Sequence, residues 1–485
     1  MGFEDDLATL SLSIDATDSV PLYQQLATQL RQLIGSGRIS TGERLPSSRR
    51  LAQLLAISRT STLNAYDQLI AEGLLVTRPA LGIYVTALGA SAIAERTELR
   101  DCDLGNSSES ASGPIDIGLS AQAFSANADV SLFPFREWSR TLAKVWRRPD
   151  PALLQGQHPG GYGPLRQAVA RYIKAVRGID CHPAQVIITA GSRDALMLIS
   201  KVLLSPGDPV ALENPCYPSL RHGFAAQGVG IHATAIDSEG MRLPPAGMKL
   251  AWMTPARQYP LGTTLSLERR LDWLGYSRSQ QCWLVEDDYD SEFHYRKAPL
   301  TPLFNLASQL QPRDKQSVIL VGSFSKLLFK TLRIGYLIVP QPLIPAFLDA
   351  QDSLGNLASV PIQPALAEFL AHRRFASHLR RMRQCYQQRR NFLHTLLQHR
   401  LSRWFDSELP SCGMHLLAHC KAVPLGVNDL WFEQQLARQG IYAPALSPNY
   451  SVDAEQGLLL GFSGTSEEAL AKGVEQIERM MKQLS

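Results

Sequence analysis

From about residue 116 onward, short apolar runs alternate with longer stretches of helical periodicity. This alternation calls for a mostly parallel sheet with crossover helices, because parallel neighbours can only be joined by a long return connection. Sheets of this kind bring ligands to the carboxyl ends of their strands. Here the apolar runs end in residues that carry chemistry. Val318 to Val321 leads through Gly322 into "SFSK", and "CWLV" leads into "EDDYDSEF". "VIITA" opens onto "GSRDAL", and "VALEN" onto "PCYPSL".

At 485 residues the chain exceeds one compact core, so two or more domains are expected. The net charge of +4 permits an anionic partner without requiring one. The seven cysteines are scattered, with no CxxC spacing, which argues against a disulfide framework or a zinc site and fits a reducing cytoplasm. The acidic start "MGFEDDLATL" is unlike a signal peptide, and no apolar run is long enough to span a membrane. Residues 88–115 mix Ser, Ala, Gly and charge without periodicity and read as a linker between an N-terminal module, 12–87, and a large domain, 116–485.

The N-terminal module carries no lysine. Leu22, Leu26, Leu30 and Leu33 recur at helical spacing. Pro46 and Ser47 start a second helix, and Ser58 can cap a third, whose Leu63, Tyr66, Leu69 and Ile70 are expected inside. Arg59, Thr60, Ser61 and Asn64 then lie near its start, outside the apolar stripe. Two strand-like pieces follow, "LLVT" and "GIYVT", making the order that of a winged helix-turn-helix. Between residues 30 and 80 seven arginines face three acids, a local basic excess suited to DNA phosphates. A small helical protein-interaction domain with a solvated arginine face is the plainer alternative.

In the large domain, Lys326 could be a charge at a strand exit or a lysine that forms a Schiff base with an aldehyde. Ser323, Ser325 and Arg333 beside it could grip a phosphate. The start of the "GSRDAL" helix, with Ser192, could do the same through its backbone N–H groups. Asp287 could hold a protonated pyridine nitrogen, and the "EDDYD" cluster could instead bind metal or stand solvated. Tyr217 offers a flat face for ring stacking or is an ordinary loop aromatic. Lys330 reads as an exposed charge.

The stretch "PLYQQLATQLRQLIGSGRISTGERLPSSRRLAQLLAISRTSTLNAYDQLIAEGLL" closely resembles the GntR family of bacterial repressors. The resemblance implies DNA contacts from Arg49, Arg59, Thr60 and Ser61, with Gly82 in the wing. "GSRDAL", "ENPCYPS", "TPARQYPLG", "EDDYDSEF" and "SFSK" followed by "RIGY" resemble, in this order, the fold type I aminotransferases that use pyridoxal 5′-phosphate. Together the two halves are similar to the MocR/GabR-type regulators. The fold implied is an α+β winged helix-turn-helix followed by an α/β fold type I aminotransferase-like domain.

Residue by residue, the resemblance implies Lys326 as the Schiff-base lysine, Asp287 on the pyridine nitrogen, Tyr289 on the ring hydroxyl and Tyr217 stacked on the ring. Ser192, Ser323, Ser325 and Arg333 hold the phosphate. Arg193 stands where relatives usually have Gln. It also implies a cytoplasmic homodimer, with the DNA module of one chain crossing over the other. Operator DNA and an amino compound, or pyridoxal 5′-phosphate itself, are the expected partners. A working aminotransferase with an autoregulatory DNA module is the alternative, and a cofactor-free scaffold a third. Where many aminotransferases carry a carboxylate-binding Arg near the C-terminus, this chain has Leu458, Leu459 and Leu460. Arg257 is a candidate substitute.

Overall fold

The computed structural model describes residues 12–15, 20–79, 81–86, 124–156, 158–295, 301–310, 316–355, 358–421 and 427–484. The chain divides into two compact units, Met1–Gly113 and Pro114–Ser485. The expected linker, 88–115, lies outside the described residues.

The first unit is built from α1 (Leu22–Gly35), β1 (Arg44–Leu45), α2 (Ser48–Leu54), α3 (Arg59–Ala71), β2 (Leu75–Arg78) and β3 (Gly82–Val85). Ser47 caps α2 by accepting from the Arg50 N–H, and Ser58 caps α3 by accepting from the Ser61 N–H. Leu26, Ala27, Leu30 and Ile34 of α1 pack against Ala65, Tyr66 and Leu69 of α3 in one core. Leu63 departs from expectation: it is exposed, and Thr62 and Ala65 take the inward positions instead. The three strands pair antiparallel in the order β1-β3-β2.

The second unit centres on an eight-stranded sheet in the order β4-β11-β10-β9-β8-β5-β6-β7. Its strands are β4 (Val186–Thr189), β5 (Pro209–Asn214), β6 (Gly230–Asp237), β7 (Gly240–Met241), β8 (Leu250–Met253), β9 (Trp283–Asp288), β10 (Val318–Ser323) and β11 (Gly335–Ile338). The run β6-β5-β8-β9-β10 is parallel, as the alternation requires. β11 runs antiparallel to both its neighbours, and β7 antiparallel to β6.

Successive side chains of a strand point to opposite faces, and this splits the core in two. Ile187, Val285, Ile319 and Val321 join one cluster with α4 (Ser192–Leu203). Ile188, Leu284, Val318 and Leu320 join the other. A smaller antiparallel sheet, β12 (Phe405–Asp406), β13 (His415–Cys420) and β14 (Gly457–Gly461), follows.

β10 continues to Ser323, with Gly322 paired to Tyr336 of β11. A Cβ at Gly322 would lie 2.2 Å from the Tyr336 ring, so the glycine is there to let that ring pack.

Candidate functional site

At the carboxyl ends of β4, β5, β9 and β10 lies a cavity of about 380 Å³. Its wall includes Lys326, Asp287, Tyr289 and Tyr217, together with Ser192, Arg193, Ser323, Ser325 and Arg333. The structure therefore brings all nine candidate residues of the large domain to one space. They converge because four strand ends meet there, although the residues lie far apart in sequence.

The "EDDYD" cluster is sorted by the pleat of β9. Asp287 turns into the cavity. Asp288 faces the opposite side and pairs with Arg177 at 2.9 Å, both side chains buried. Glu286 joins Arg270 on that same side at 3.9 Å, and accepts from the Phe304 N–H at 2.9 Å. The acidic run is thus divided between two faces, and no group of three metal-ligating side chains occurs among the described residues.

Asp287 accepts a hydrogen bond from the Trp252 indole N–H at 3.2 Å. Burial pushes its carboxyl up to about 7, which that hydrogen bond only partly offsets. Such a half-buried, poorly solvated acid is relieved by a cationic partner such as a protonated pyridine nitrogen. Lys326 Nζ donates to the Ala126 carbonyl at 3.0 Å. Burial lowers the affinity of this amine for a proton, with the Asp290 carboxylate opposing that effect.

The phosphate end follows from local geometry. Gly191, at φ +108°, opens α4 so that the first turn of that helix borders the cavity. Asp194 Oδ2 accepts from the Ala190 N–H at 2.8 Å and braces the turn. Ser323 Oγ accepts from the Ser325 N–H at 3.2 Å. Arg333, at φ +51°, lines the same cavity as these hydroxyls. Tyr217 stands edge-on to Tyr259, centroids 5.5 Å apart, with its ring exposed at the cavity wall. A lysine, a desolvated acid, a helix start, three hydroxyls and an arginine fit pyridoxal 5′-phosphate, the cofactor that the motifs imply.

Several functional groups escaped the sequence reading. Glu213 is buried in the cavity wall, held by the Thr254 N–H at 3.0 Å and the Thr254 hydroxyl at 2.6 Å, and burial pushes it up to about 7. Asp290 and His415 also line the space. Asp290 could have been found, since it immediately follows Tyr289. Trp252 sits in an ordinary apolar run that carries no such signal. Lys330 is exposed as expected, but it also borders the cavity.

Arg257 is not a free carboxylate binder. It is buried and is absent from the cavity wall, directing its guanidinium to Tyr289, Asp290 and His415. Leu459 and Met414, from the small sheet and its edge, form an apolar part of the wall.

In the first unit, Arg49, Arg59 and Thr60 are exposed at the starts of α2 and α3. The Ser61 hydroxyl is engaged with that of Ser58 at 2.8 Å. Gly82 turns the wing at φ +116°, and the Arg44 side chain lies over it, 2.9 Å from where a Cβ would be. Arg31 leaves the basic set, because Glu72 holds it through two hydrogen bonds of 2.9 and 2.6 Å.

Comparison with known proteins agrees with both halves. Residues 22–85 match the family of bacterial regulatory proteins, gntR family, and residues 117–477 match aminotransferase class I and II. A probable rhizopine catabolism regulatory protein, MocR, of Rhizobium meliloti is 31% identical over 477 residues, covering 96% of this chain and 95% of its own. The pyridoxine biosynthesis transcriptional regulator PdxR of Corynebacterium glutamicum is 29% identical over 472 residues, covering 96% and 97%. Among solved structures, the α-aminoadipate aminotransferase LysN of Thermus thermophilus, complexed with N-(5′-phosphopyridoxyl)-L-leucine, superimposes with a TM-score of 0.67 at 26% identity. That match spans 75% of this chain and 92% of LysN.

A winged helix and an aminotransferase-like domain on one chain define a class of transcription regulators that pair DNA binding with a pyridoxal-phosphate fold. Within that class, this chain belongs to the MocR-type subfamily of GntR regulators.

Proposed function

We propose that the protein is a ligand-responsive transcription regulator. The starts of α2 and α3 and the wing bind operator DNA. The Lys326 cavity senses an amino compound, or pyridoxal 5′-phosphate itself. The observation that carries this reading is the convergence of Lys326, Asp287, Tyr289 and the phosphate-type groups on one cavity, in a chain that also carries a winged helix.

Pyridoxal 5′-phosphate is the cofactor of this aminotransferase-class domain. When bound, it supplies an electrophilic carbon that captures amines reversibly and a ring that absorbs visible light. The chain's residues divide the remaining tasks. Lys326 supplies a half-buried amine whose affinity for a proton is lowered by desolvation. Asp287 supplies the anion for a ring nitrogen, and Tyr289 a phenol for a ring oxygen. Ser192, Ser323 and Ser325 offer hydroxyls to the phosphate and Arg333 a positive charge, with Arg193 and Lys330 adding positive charge to the wall.

Response to the ligand is a linkage between two distinct sites, each with its own affinity. A homodimer with exchanged DNA modules, acting in the cytoplasm, is the assembly that the family resemblance supports. The test is a titration of candidate amines and of pyridoxal 5′-phosphate, reading visible absorbance and operator affinity on one sample. A compound that changes both is the signal. A visible band that survives Lys326→Ala would sink the reading.

A second reading, a working aminotransferase, is favoured by the weakly basic Lys326 amine. The apolar wall around Leu459 and Met414 opposes it, since it offers no cation to an α-carboxylate. Multiple turnovers with an amino donor and a keto acid would decide for the enzyme.

A further inference from the structure

Arg257 makes more polar contacts than any role in solubility or surface charge requires. Its Nη1 donates to the Tyr289 phenol oxygen at 3.1 Å and lies 3.5 Å from Asp290 Oδ2. Its Nη2 donates to the His415 carbonyl at 3.1 Å. The His415 ring lies against the same guanidinium, with ring nitrogens 3.3 Å from Nη1 and from Nη2. His415 Nε2 is also 3.0 Å from the Pro260 carbonyl, which makes Nε2–H the donor there and leaves Nδ1 to accept from Arg257. The chain is shaped around this group. Gly413, at φ +91°, would place a Cβ 2.2 Å from Arg257 Nε. A side chain there would drive the guanidinium out.

Tyr289 and Asp290 line the cavity, whereas Arg257 stands behind them. A phenol oxygen that already accepts from a guanidinium keeps its own O–H for another acceptor. The other charged or titratable groups around this knot include Lys326, Asp287, Asp288, Cys412, Tyr259 and Tyr295. Asp290 faces the same guanidinium, and burial raises its carboxyl to about 6 against the opposing pull of Arg257 and Lys326.

We propose that Arg257 is a positioning residue: by donating to Tyr289 it fixes the phenol O–H as a donor toward the bound cofactor, and its charge disfavours a proton on the nitrogen that joins Lys326 to that cofactor. This rests on the reading of the cavity as a pyridoxal 5′-phosphate site. Arg257 itself need not touch any ligand.

The test uses the full chain with pyridoxal 5′-phosphate added, following the visible band as a function of pH. Arg257→Gln is expected to keep a Lys326-dependent band while its pH midpoint moves up by about one unit or more. Arg257→Lys keeps the charge but not the paired donors, and its midpoint falls between the two. A residue that only supported the fold would lower thermal stability and cofactor occupancy and leave the midpoint in place. That outcome would overturn the proposal.

Should Arg257→Gln fail to fold, Tyr289→Phe and the Tyr289→Phe, Arg257→Lys pair take its place. If Arg257 acts through Tyr289, adding Arg257→Lys to Tyr289→Phe moves the midpoint less than it does in the wild-type protein. Equal shifts in both backgrounds would refute the route through Tyr289. Absence of any Lys326-dependent band in the wild-type protein would instead refute the cofactor reading, and this inference with it.

Discussion

The Trp252 indole N–H reaches Asp287 Oδ2 at 3.2 Å, from a strand paired directly beside the one that carries the acid. Trp252 is itself buried in the sheet core, so the bond aims the carboxylate without water. Trp252→Phe removes one donor from a half-buried acid and leaves the ring volume nearly filled. Its cost to cofactor affinity is expected to be a few-fold, in line with about 1 kcal/mol for a single hydrogen bond. Asp287→Asn removes the charge and should weaken binding about tenfold or more. Absorbance titrations with pyridoxal 5′-phosphate measure both. Equal affinities for Asp287→Asn and wild type would remove Asp287 from the site.

The cavity acids predict the pH dependence of the cofactor-free protein. Burial raises Asp287 from 3.8 to about 7, Glu213 from 4.5 to about 7 and Asp290 from 3.8 to about 6. In each case the folded state holds a proton that the unfolded chain has released. Their contribution to stability is therefore full below about pH 4 and is lost as pH rises toward 7. Burial of His294, His378 and His415 lowers their basicity and acts in the opposite sense across the same window. The contribution of Asp287 is therefore read as a difference: the slope of denaturant midpoint against pH should be less negative or more positive in Asp287→Asn than in the wild-type protein. A slope unchanged in that variant would contradict the assignment.

Much of the site was legible because strand ends announce themselves. "VGSFSK", "EDDYD" and "TAGSRDAL" each couple an apolar run to polar residues, and the sheet brings those ends together. Illegible from sequence were the partners that lie inside other runs. Trp252 is one apolar residue among four in β8, and only the pairing with β9 sets it against Asp287. Arg257 was legible as a charge near the site but not in its direction, because Gly413, more than 150 positions away, creates the space that it fills. The antiparallel β11 was hidden for a similar reason, since an apolar strand does not encode its own direction. In the N-terminal module the capped helices were readable, but the Arg31–Glu72 pair was not, as the two lie 41 residues apart.

That pair supplies an internal control for the DNA interface. Arg59 is exposed at the start of α3 and makes no ion pair with any described residue, whereas Arg31 is tied to Glu72 at 2.6 Å. Arg59→Ala should weaken operator binding and reduce the magnitude of the log–log salt slope by about 1. Arg31→Ala should leave the slope alone and cost less than about 1 kcal/mol of stability, the usual worth of an exposed pair. Binding measured at several salt concentrations distinguishes them. Equal slopes for both variants would mean that α3 does not carry the phosphate contacts.

Gly322 links the sheet to the site. A Cβ there meets the Tyr336 ring at 2.2 Å, and β10 carries Ser323 at its end and Lys326 just beyond. Tyr336 packs against Phe324 with centroids 5.4 Å apart, so the ring has little room to yield. Gly322→Ala must push either the ring or the strand. The expected cost is about 1–3 kcal/mol of stability, as for other overpacked cores. Because the strand carries Ser323, cofactor affinity should fall as well. Pairing Gly322→Ala with Tyr336→Ala removes the obstacle and should recover a part of the lost affinity, even though the second change opens a cavity. Calorimetry and absorbance titration on the single and double variants measure the two effects. If the double variant binds cofactor no better than Gly322→Ala alone, the ring is not what holds β10 in register with the site.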